Sequence, residues 1–255
     1  ATKGVYEFGS VFKTFTLAAA FNEKIIKPET KFVDLPKSLT CAGFPIREYD
    51  QKIPSTLTTE QILVRSVNIG SVKIGQEVGE ENFKFFLSKL GILEKINFDI
   101  EEVGKPIKFN WGKCPLATAS YGHGITTTLL QLVKAYSIIT NGGFDIKPSL
   151  IKNNKNKKKK VLNDGVSIKI LPILRKVVTE GTASLANING YEIGGKTGTA
   201  EKSSLGSYSK NKQINTKTTD ETNINRYLIN LDEGHLNINN YIFNHEICEH
   251  CGGEW

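Results

Sequence analysis

The sequence contains no methionine among its 255 residues and only two tryptophans. A gene product of this size normally begins with methionine, so we expect a fragment of a longer protein. No stretch of the sequence approaches the roughly 18 consecutive apolar residues that a membrane-spanning helix needs. The first residues, ATKGVYEFGS, also lack the basic start and apolar centre of a signal peptide. We therefore expect neither an anchor nor a signal peptide in this chain.

Cysteine is scarce, with four residues in the whole chain. Cys41 and Cys114 stand alone in the sequence, and we interpret them as small buried apolar residues. A second group lies in the tail NHEICEHCGGEW, and its possible metal ligands are His245, Cys248, His250 and Cys251. Zinc sites usually draw on two separated ligand pairs, and the sequence has no second pair. We therefore predict no metal and no cofactor, with zinc binding by this tail as the alternative.

The overall composition is that of a globular protein, with 39% hydrophobic and 23% charged residues. The formal net charge is +7, and six lysines fall within Lys152–Lys160. No aromatic residues are interleaved with these lysines, so the run is typical of a solvated loop rather than a nucleic-acid patch. We predict no nucleic-acid partner.

Helical patterns dominate the first four fifths of the chain. Residues 10–21 are apolar on nearly every face, which predicts a central buried helix. Thr58 precedes Gln61 by three residues in a capping-box pattern, which opens a helix that delivers Ser66 near its end. The helical i, i+3, i+4, i+7 spacing recurs in three further stretches, at 83–90, 129–136 and 170–178.

Strand signals are few, and the clearest is GYEIGGKTGTA, residues 190–200. Beyond about residue 216 no apolar period of 2 or 3.6 persists. We therefore predict one domain at 1–215 and a divergent, poorly ordered tail at 216–255.

Three short motifs have the residue types of serine chemistry. In the first, Ser10 and Lys13 are three apart on a predicted helix and so lie on one face, where the amine can take the serine proton. Burial favours this role because desolvation lowers a lysine pKa. Ser10 also falls at the helix start, where free backbone N–H groups can bind an oxyanion. The second motif is Ser66-Val67-Asn68, and the third is Lys196-Thr197-Gly198-Thr199.

The third motif has a competing interpretation. Residues 190–197 spell G-x-x-x-x-G-K-T, the pattern of a phosphate-binding loop. Such a loop must lead directly into a helix whose N-terminus faces the phosphates. The following residues, GTAEKSSLGS, offer no apolar face for that helix. The sequence thus disfavours nucleotide binding.

The motifs S-x-x-K, S-x-N and K-T-G occur here in the order and context that they have in penicillin-binding proteins. The sequence therefore resembles the transpeptidase domain of class B penicillin-binding proteins, most of all that of the septal, division-specific peptidoglycan transpeptidases. The likeness extends to FGSVFKTFT, ILVRSVNIGSVKIG, YGHGITTTLLQLVKAYSIITNGG and VVTEGTASLANINGYEIGGKTGTAEK, about residues 4 to 210. It implies an α+β fold like that of penicillin-binding proteins and serine β-lactamases, with a dominant helical subdomain and an antiparallel sheet. We expect an incomplete sheet, because the K-T-G strand has no dependable partners in this sequence.

The resemblance also implies roles for the motif residues. Ser10 would attack the D-Ala-D-Ala amide of a peptidoglycan stem peptide, and Lys13 would be its general base. Ser66 would relay a proton to the leaving amine, Asn68 would bind the substrate backbone, and Lys196 would supply positive charge.

On the K-T-G strand, Thr197, Gly198 and Thr199 would bind substrate, with both threonines on its carboxylate. The N–H groups of Ser10 and Thr199 would form the oxyanion hole. His123, in the Tyr121–Gly124 loop near the site, is a histidine in a tight turn that we leave out of the catalytic set.

The implied partners are stem peptides, β-lactam antibiotics and proteins of the division machinery, at the periplasmic face of the bacterial inner membrane in the full-length family member. Two alternatives stay open. A serine β-lactamase shares the motifs, although we identify no loop with the glutamate that class A enzymes use for deacylation. A non-catalytic penicillin-recognising fragment or sensor is the other.

Overall fold

The computed structural model describes residues 2–151 and 159–201, and the backbone of two further strands at 224–232 and 235–241. The described helices are α1 (Lys13–Asn22), α2 (Thr59–Val64), α3 (Asn68–Val78), α4 (Glu80–Lys89), α5 (Lys113–Ala119), α6 (Leu129–Thr140) and α7 (Val166–Thr179). The described strands are β1 (Val5–Tyr6), β2 (Lys31–Phe32), β3 (Ser38–Cys41), β4 (Phe44–Arg47), β5 (Leu57–Thr58), β6 (Thr127–Thr128), β7 (Gly194–Glu201), β8 (Ile224–Asp232) and β9 (His235–Tyr241). Short 3-10 turns lie at Gly9–Phe12 and Ser184–Ala186.

Helix α1 is the centre of the helical part of the molecule. All ten of its residues are buried, and it contacts α2, α3, α4 and α7. This confirms the predicted buried helix and follows from a sequence that is apolar on nearly every face. The helix places Lys13, its first residue, inside the apolar core.

Two of the predicted helices, α2 and α6, begin at a capping box. At α2, the hydroxyl of Thr58 accepts from the Gln61 amide at 3.2 Å, and the Gln61 side chain accepts from the Thr58 amide at 2.9 Å. The same capping box, formed by Thr128 and Gln131, opens α6. Both boxes satisfy backbone donors that a helix start leaves without partners.

The K-T-G strand has partners, so our expectation that it would lack them is wrong. Strand β7 pairs antiparallel with β8, and β8 pairs with β9, with Lys196 opposite Ile229 in the register. Strand pairing satisfies backbone groups and does not require a regular apolar alternation, which is why the sequence pattern missed β8 and β9. Among the described strands of this sheet, β7 lies at one edge.

A hairpin of β3 and β4 is a further element that the sequence patterns did not predict. A disulfide between Cys41 and Cys114 joins this hairpin to α5, with the two Cα atoms 5.5 Å apart. The interpretation of these cysteines as separate buried apolar residues is therefore wrong. Their separation of 73 residues in the sequence hides the contact.

Several predictions concern residues that the structure leaves undescribed. Most of the Lys152–Lys160 run lies outside the described residues, and so does the whole group of His245, Cys248, His250 and Cys251. In the part of the chain that is described, no cluster of side chains suits a metal ion, and no helix is both long and apolar enough to cross a bilayer. The domain boundary at residue 215 stays a prediction.

Candidate active site

Ser10 lies in the 3-10 turn that leads directly into α1. The sequence predicted that Ser10 and Lys13 share an α-helix, but the structure places only Lys13 in the helix itself. The two residues thus belong to adjacent elements, and their placement on one face stays a prediction. Ser10 is half-buried, whereas Lys13 is completely buried.

Three glycines let the turn around Ser10 approach its neighbours closely. A side chain at Gly9, whose φ is +54°, would overlap the carbonyl oxygen of Thr199 on β7. A Cβ at Gly198 would lie 2.5 Å from the carbonyl oxygen of Phe8, and one at Gly122 would overlap that of Gly9. The K-T-G strand and the Tyr121–Gly124 loop thus pack backbone to backbone against the serine turn.

Ser66 occupies the short connection between α2 and α3 with a φ of +58°. Residues other than glycine rarely adopt this left-handed conformation, and such strain is often found at functional sites. The turn presents two oxygens to Lys13. The Lys13 Nζ donates to the Ser66 carbonyl oxygen at 2.5 Å and to the Ser66 Oγ at 3.1 Å.

Lys196 approaches the same hydroxyl from β7. Its Nζ donates to the Ser66 Oγ at 2.9 Å and to the carbonyl oxygen of Thr197 at 3.0 Å, and the side chain is completely buried. The Ser66 oxygen is therefore shared by two lysine amines that come from different elements. All three motifs of the sequence meet at this point.

Burial changes the protonation of both amines. Desolvation lowers the pKa of Lys13 to about 7, against an opposing effect of the Glu48 carboxylate. Desolvation also lowers the pKa of Lys196, and repulsion by the Lys13 ammonium lowers it further. Because the repulsion between the amines is mutual, the pair resists carrying two charges. The site can therefore offer a neutral amine near neutral pH.

Asn68 is the first residue of α3, and a neighbouring segment holds it in place. Its Nδ2 donates to the Arg47 carbonyl oxygen at 2.8 Å. The carboxylate of Glu48 accepts from the backbone amides of Asn68 at 2.7 Å and Ile69 at 2.6 Å. Sequence reasoning missed Glu48. The only signal for a cap from elsewhere in the chain was that Val67, the residue before α3, has no side chain that can cap the helix.

On the outer part of β7, Thr197 is half-buried and Thr199 is exposed. The Thr197 hydroxyl lies 2.8 Å from that of Thr182, a residue that the sequence analysis did not single out. His123 sits between two glycines with positive φ, and its Nδ1 lies 3.6 Å from a carboxylate oxygen of Glu7.

Ser10 is half-buried at the start of a buried helix, and the hydroxyl of Ser66 accepts from two desolvated lysine amines. This arrangement is typical of active-serine proteins that transfer acyl groups and use lysine in place of histidine. The family model described as the penicillin binding protein transpeptidase domain matches residues 1–228. The chain belongs to this family.

Relatives and solved structures agree with this membership. Stage V sporulation protein D of Bacillus subtilis is 32% identical over 226 residues, which cover 82% of this chain and 35% of that protein. A probable peptidoglycan D,D-transpeptidase FtsI of Caulobacter vibrioides is 27% identical over 260 residues, with 95% and 44% coverage. The chain thus spans less than half the length of these two relatives.

The fold is shared with a solved transpeptidase domain. The apo domain of penicillin-binding protein 3 from Burkholderia pseudomallei superimposes with a TM-score of 0.78 at 25% identity, over 90% of this chain and 68% of that one. The predicted α+β fold of penicillin-binding proteins is therefore confirmed.

Proposed function

We propose that this chain is the catalytic part of a peptidoglycan D,D-transpeptidase that cross-links stem peptides through a serine acyl-enzyme during septal wall synthesis. The observation that supports it most is the shared hydroxyl of Ser66, which accepts from the buried amines of Lys13 and Lys196. Family membership and the names of relatives point to the same reaction.

In the first half-reaction, the Ser10 Oγ attacks the carbonyl carbon of the D-Ala-D-Ala amide. A new ester C–O bond forms, and the proton of Ser10 passes to the neutral amine of Lys13. Collapse of the tetrahedral intermediate breaks the C–N bond. The leaving amine takes a proton from the Ser66 hydroxyl, which is replenished by a lysine ammonium, and D-Ala departs.

The edge of β7 is suited to bind the substrate. We assign the carboxylate of the terminal D-Ala to the hydroxyls of Thr197 and Thr199, with the backbone of Gly198 beside it. The N–H groups of Ser10 and Thr199 stabilise the oxyanion, because an edge strand has donors that no neighbouring strand uses. The side chain of Asn68 binds the substrate backbone.

In the second half-reaction, an amine of another stem peptide attacks the ester carbon. The new amide bond is the cross-link, and Ser10 Oγ recovers its proton. A β-lactam acylates the same serine, because its ring amide presents the same carbonyl, and the acyl-enzyme then releases slowly.

We further propose that the full-length protein works at the periplasmic face of the bacterial inner membrane, with proteins of the division machinery as partners. The Cys41–Cys114 disulfide supports an oxidising location outside the cytosol. The division into a transpeptidase domain at 1–215 and a divergent tail at 216–255 is part of this proposal, although the family match continues to residue 228 and β8 and β9 pair in one sheet with β7.

Intact-mass measurement after incubation with a fluorescent penicillin tests the function. We expect one stable adduct in the folded chain and none in Ser10→Ala. Ser88→Ala, at a serine outside the site, is the matched control and should retain the adduct. Rapid turnover of a chromogenic β-lactam would favour a β-lactamase instead, and a folded chain without adduct would favour a non-catalytic fragment.

A further inference from the structure

Glu48 lies one residue after β4, and its carboxylate is almost completely buried, with 8% of the residue exposed. Burying a carboxylate is costly unless hydrogen bonds compensate. Both of its oxygens are used, one on the Asn68 amide at 2.7 Å and the other on the Ile69 amide at 2.6 Å. These amides are at the start of α3, where a negative charge also interacts favourably with the helix dipole.

Helix α3 has no cap of its own. Val67 precedes it and makes no side-chain hydrogen bond to the helix start, so the cap comes from a residue 20 positions earlier. The neighbouring Arg47 adds a second tie by accepting from the Asn68 side chain at 2.8 Å. The end of the hairpin thus fixes Asn68 and Ile69, which lie two and three residues after the strained Ser66.

The charge of Glu48 also acts on Lys13, where it opposes the lowering of the pKa by desolvation. Besides burial, three groups bear on the charge of Lys13: the Glu48 carboxylate, the Lys196 amine from β7 and the Ser66 hydroxyl, which accepts from both amines. Glu48 is the one anion among them.

We propose that Glu48 is a positioning residue of the active site, which caps the start of α3, holds the Ser66–Asn68 turn in its strained form and offsets part of the charge of Lys13. Its catalytic consequence rests on the proposed function. The hairpin is in turn anchored to α5 by the disulfide, so Glu48 reaches the site from a fixed support.

The test compares Glu48→Gln, which removes the charge at nearly constant shape, with Glu48→Asp, which keeps the charge on a shorter side chain. Glu77→Gln is the matched control, because it makes the same chemical change at an exposed position on α3, the helix that Glu48 caps. Two readouts do not depend on catalysis. One is hydrogen exchange of the Asn68 and Ile69 amides, and the other is the NMR titration of the Lys13 side chain.

For Glu48→Gln we expect both amides to exchange about fivefold faster, because a cap typically contributes about 1 kcal/mol. We expect Lys13 to titrate at lower pH, since the Glu48 charge that opposes the effect of desolvation is gone, and the rate of penicillin acylation to fall about tenfold. Glu48→Asp should keep the Lys13 titration near that of the unchanged protein while the amides still exchange faster. Glu77→Gln should change none of these.

Unchanged amide exchange and an unchanged Lys13 titration in folded Glu48→Gln would overturn the proposal. If that variant does not fold, amide exchange in Glu48→Asp decides, and an unaltered rate there overturns it too. An unmodified chain that forms no penicillin adduct, while both readouts shift in the variants, would instead count against the proposed function.

Discussion

The amine of Lys196 lies 2.9 Å from the hydroxyl oxygen of Ser66. Lys13 donates to the same oxygen at 3.1 Å, so the two lysine amines use both lone pairs of the Ser66 hydroxyl oxygen. The hydroxyl proton of Ser66 is then the group left to donate to a substrate. This arrangement suits the protonation of a leaving amine better than nucleophilic attack by Ser66, and it agrees with Ser10 as the nucleophile.

The first prediction concerns pH. Lys13 accepts a proton only when neutral, and its pKa is lowered to about 7. The second-order rate of acylation by a fluorescent penicillin should therefore rise between pH 5 and 9 with a midpoint near that value. Lys13→Arg stays charged and should lose about a thousandfold in rate, the typical contribution of a general base. Lys84→Arg, at an exposed position on α4, is the control.

A rate that is independent of pH over this range would mean that Lys13 is not the base. A pH-dependent rate in Lys13→Arg with the same midpoint would mean that another group titrates there.

The second prediction tests the close approach of the serine turn to β7. Gly9→Ala must place a methyl group against the Thr199 carbonyl oxygen, so the turn or the strand has to shift. Gly165→Ala is matched to it, because Gly165 also has a positive φ, of +88°, but nothing lies within 4 Å of its Cβ position. Both variants should lose about 1 kcal/mol of stability from the backbone conformation.

Only Gly9→Ala should also lose acylation, by at least about a hundredfold, because displacement of a nucleophile by about 1 Å has that effect. Acylation rates and thermal unfolding of both variants check this. Equal acylation in the two variants would show that the contact with Thr199 does not position Ser10.

The sequence was sufficient to predict those elements whose stabilising interactions are local. The capping box at Thr58 and the apolar faces of α4, α6 and α7 depend on residues three or four apart, so their patterns predicted the helices. The three motifs predicted which side chains belong together, because their order resembles a family. Composition alone would have left each motif with an ordinary structural explanation.

Long-range contacts were not predictable in this way. Glu48 and Asn68 are 20 residues apart, and Cys41 and Cys114 are 73 apart. Nothing in their immediate sequence indicates these pairings. The Lys13 amine was expected on Ser10, but its hydrogen bonds to described residues go to Ser66, whose left-handed backbone turns the carbonyl oxygen toward it. Conformations of this kind depend on the packing around them rather than on local preference.

The third prediction concerns the substrate-binding strand. The Thr182 hydroxyl lies 2.8 Å from that of Thr197, so it orients the group assigned to the substrate carboxylate. Thr182→Val keeps the shape and removes this hydrogen bond, which should lower the acylation rate about fivefold, in line with roughly 1 kcal/mol for one hydrogen bond. Thr182→Ser should restore most of the rate. Kinetics that separate binding from acylation should place the loss in binding, and a loss confined to the chemical step would contradict this role.

The last prediction concerns the disulfide between Cys41 and Cys114. A crosslink over 73 residues restricts the unfolded chain and is expected to stabilise the fold by about 4 kcal/mol. For a domain of this size, that corresponds to a decrease in Tm of roughly 10 °C when the bond is removed. Reductant and the double variant Cys41→Ser/Cys114→Ser should each produce this decrease, and the double variant should no longer respond to reductant.

The control variant Cys248→Ser/Cys251→Ser removes the same number of thiols from the tail and should still respond to reductant like the unchanged chain. Thiol counting on the oxidised protein by mass spectrometry should find Cys41 and Cys114 in one linked peptide pair. Free thiols at both positions in a folded, oxidised chain would show that the hairpin is not tied to α5. In that case Arg47 and Glu48 would reach α3 without this covalent support.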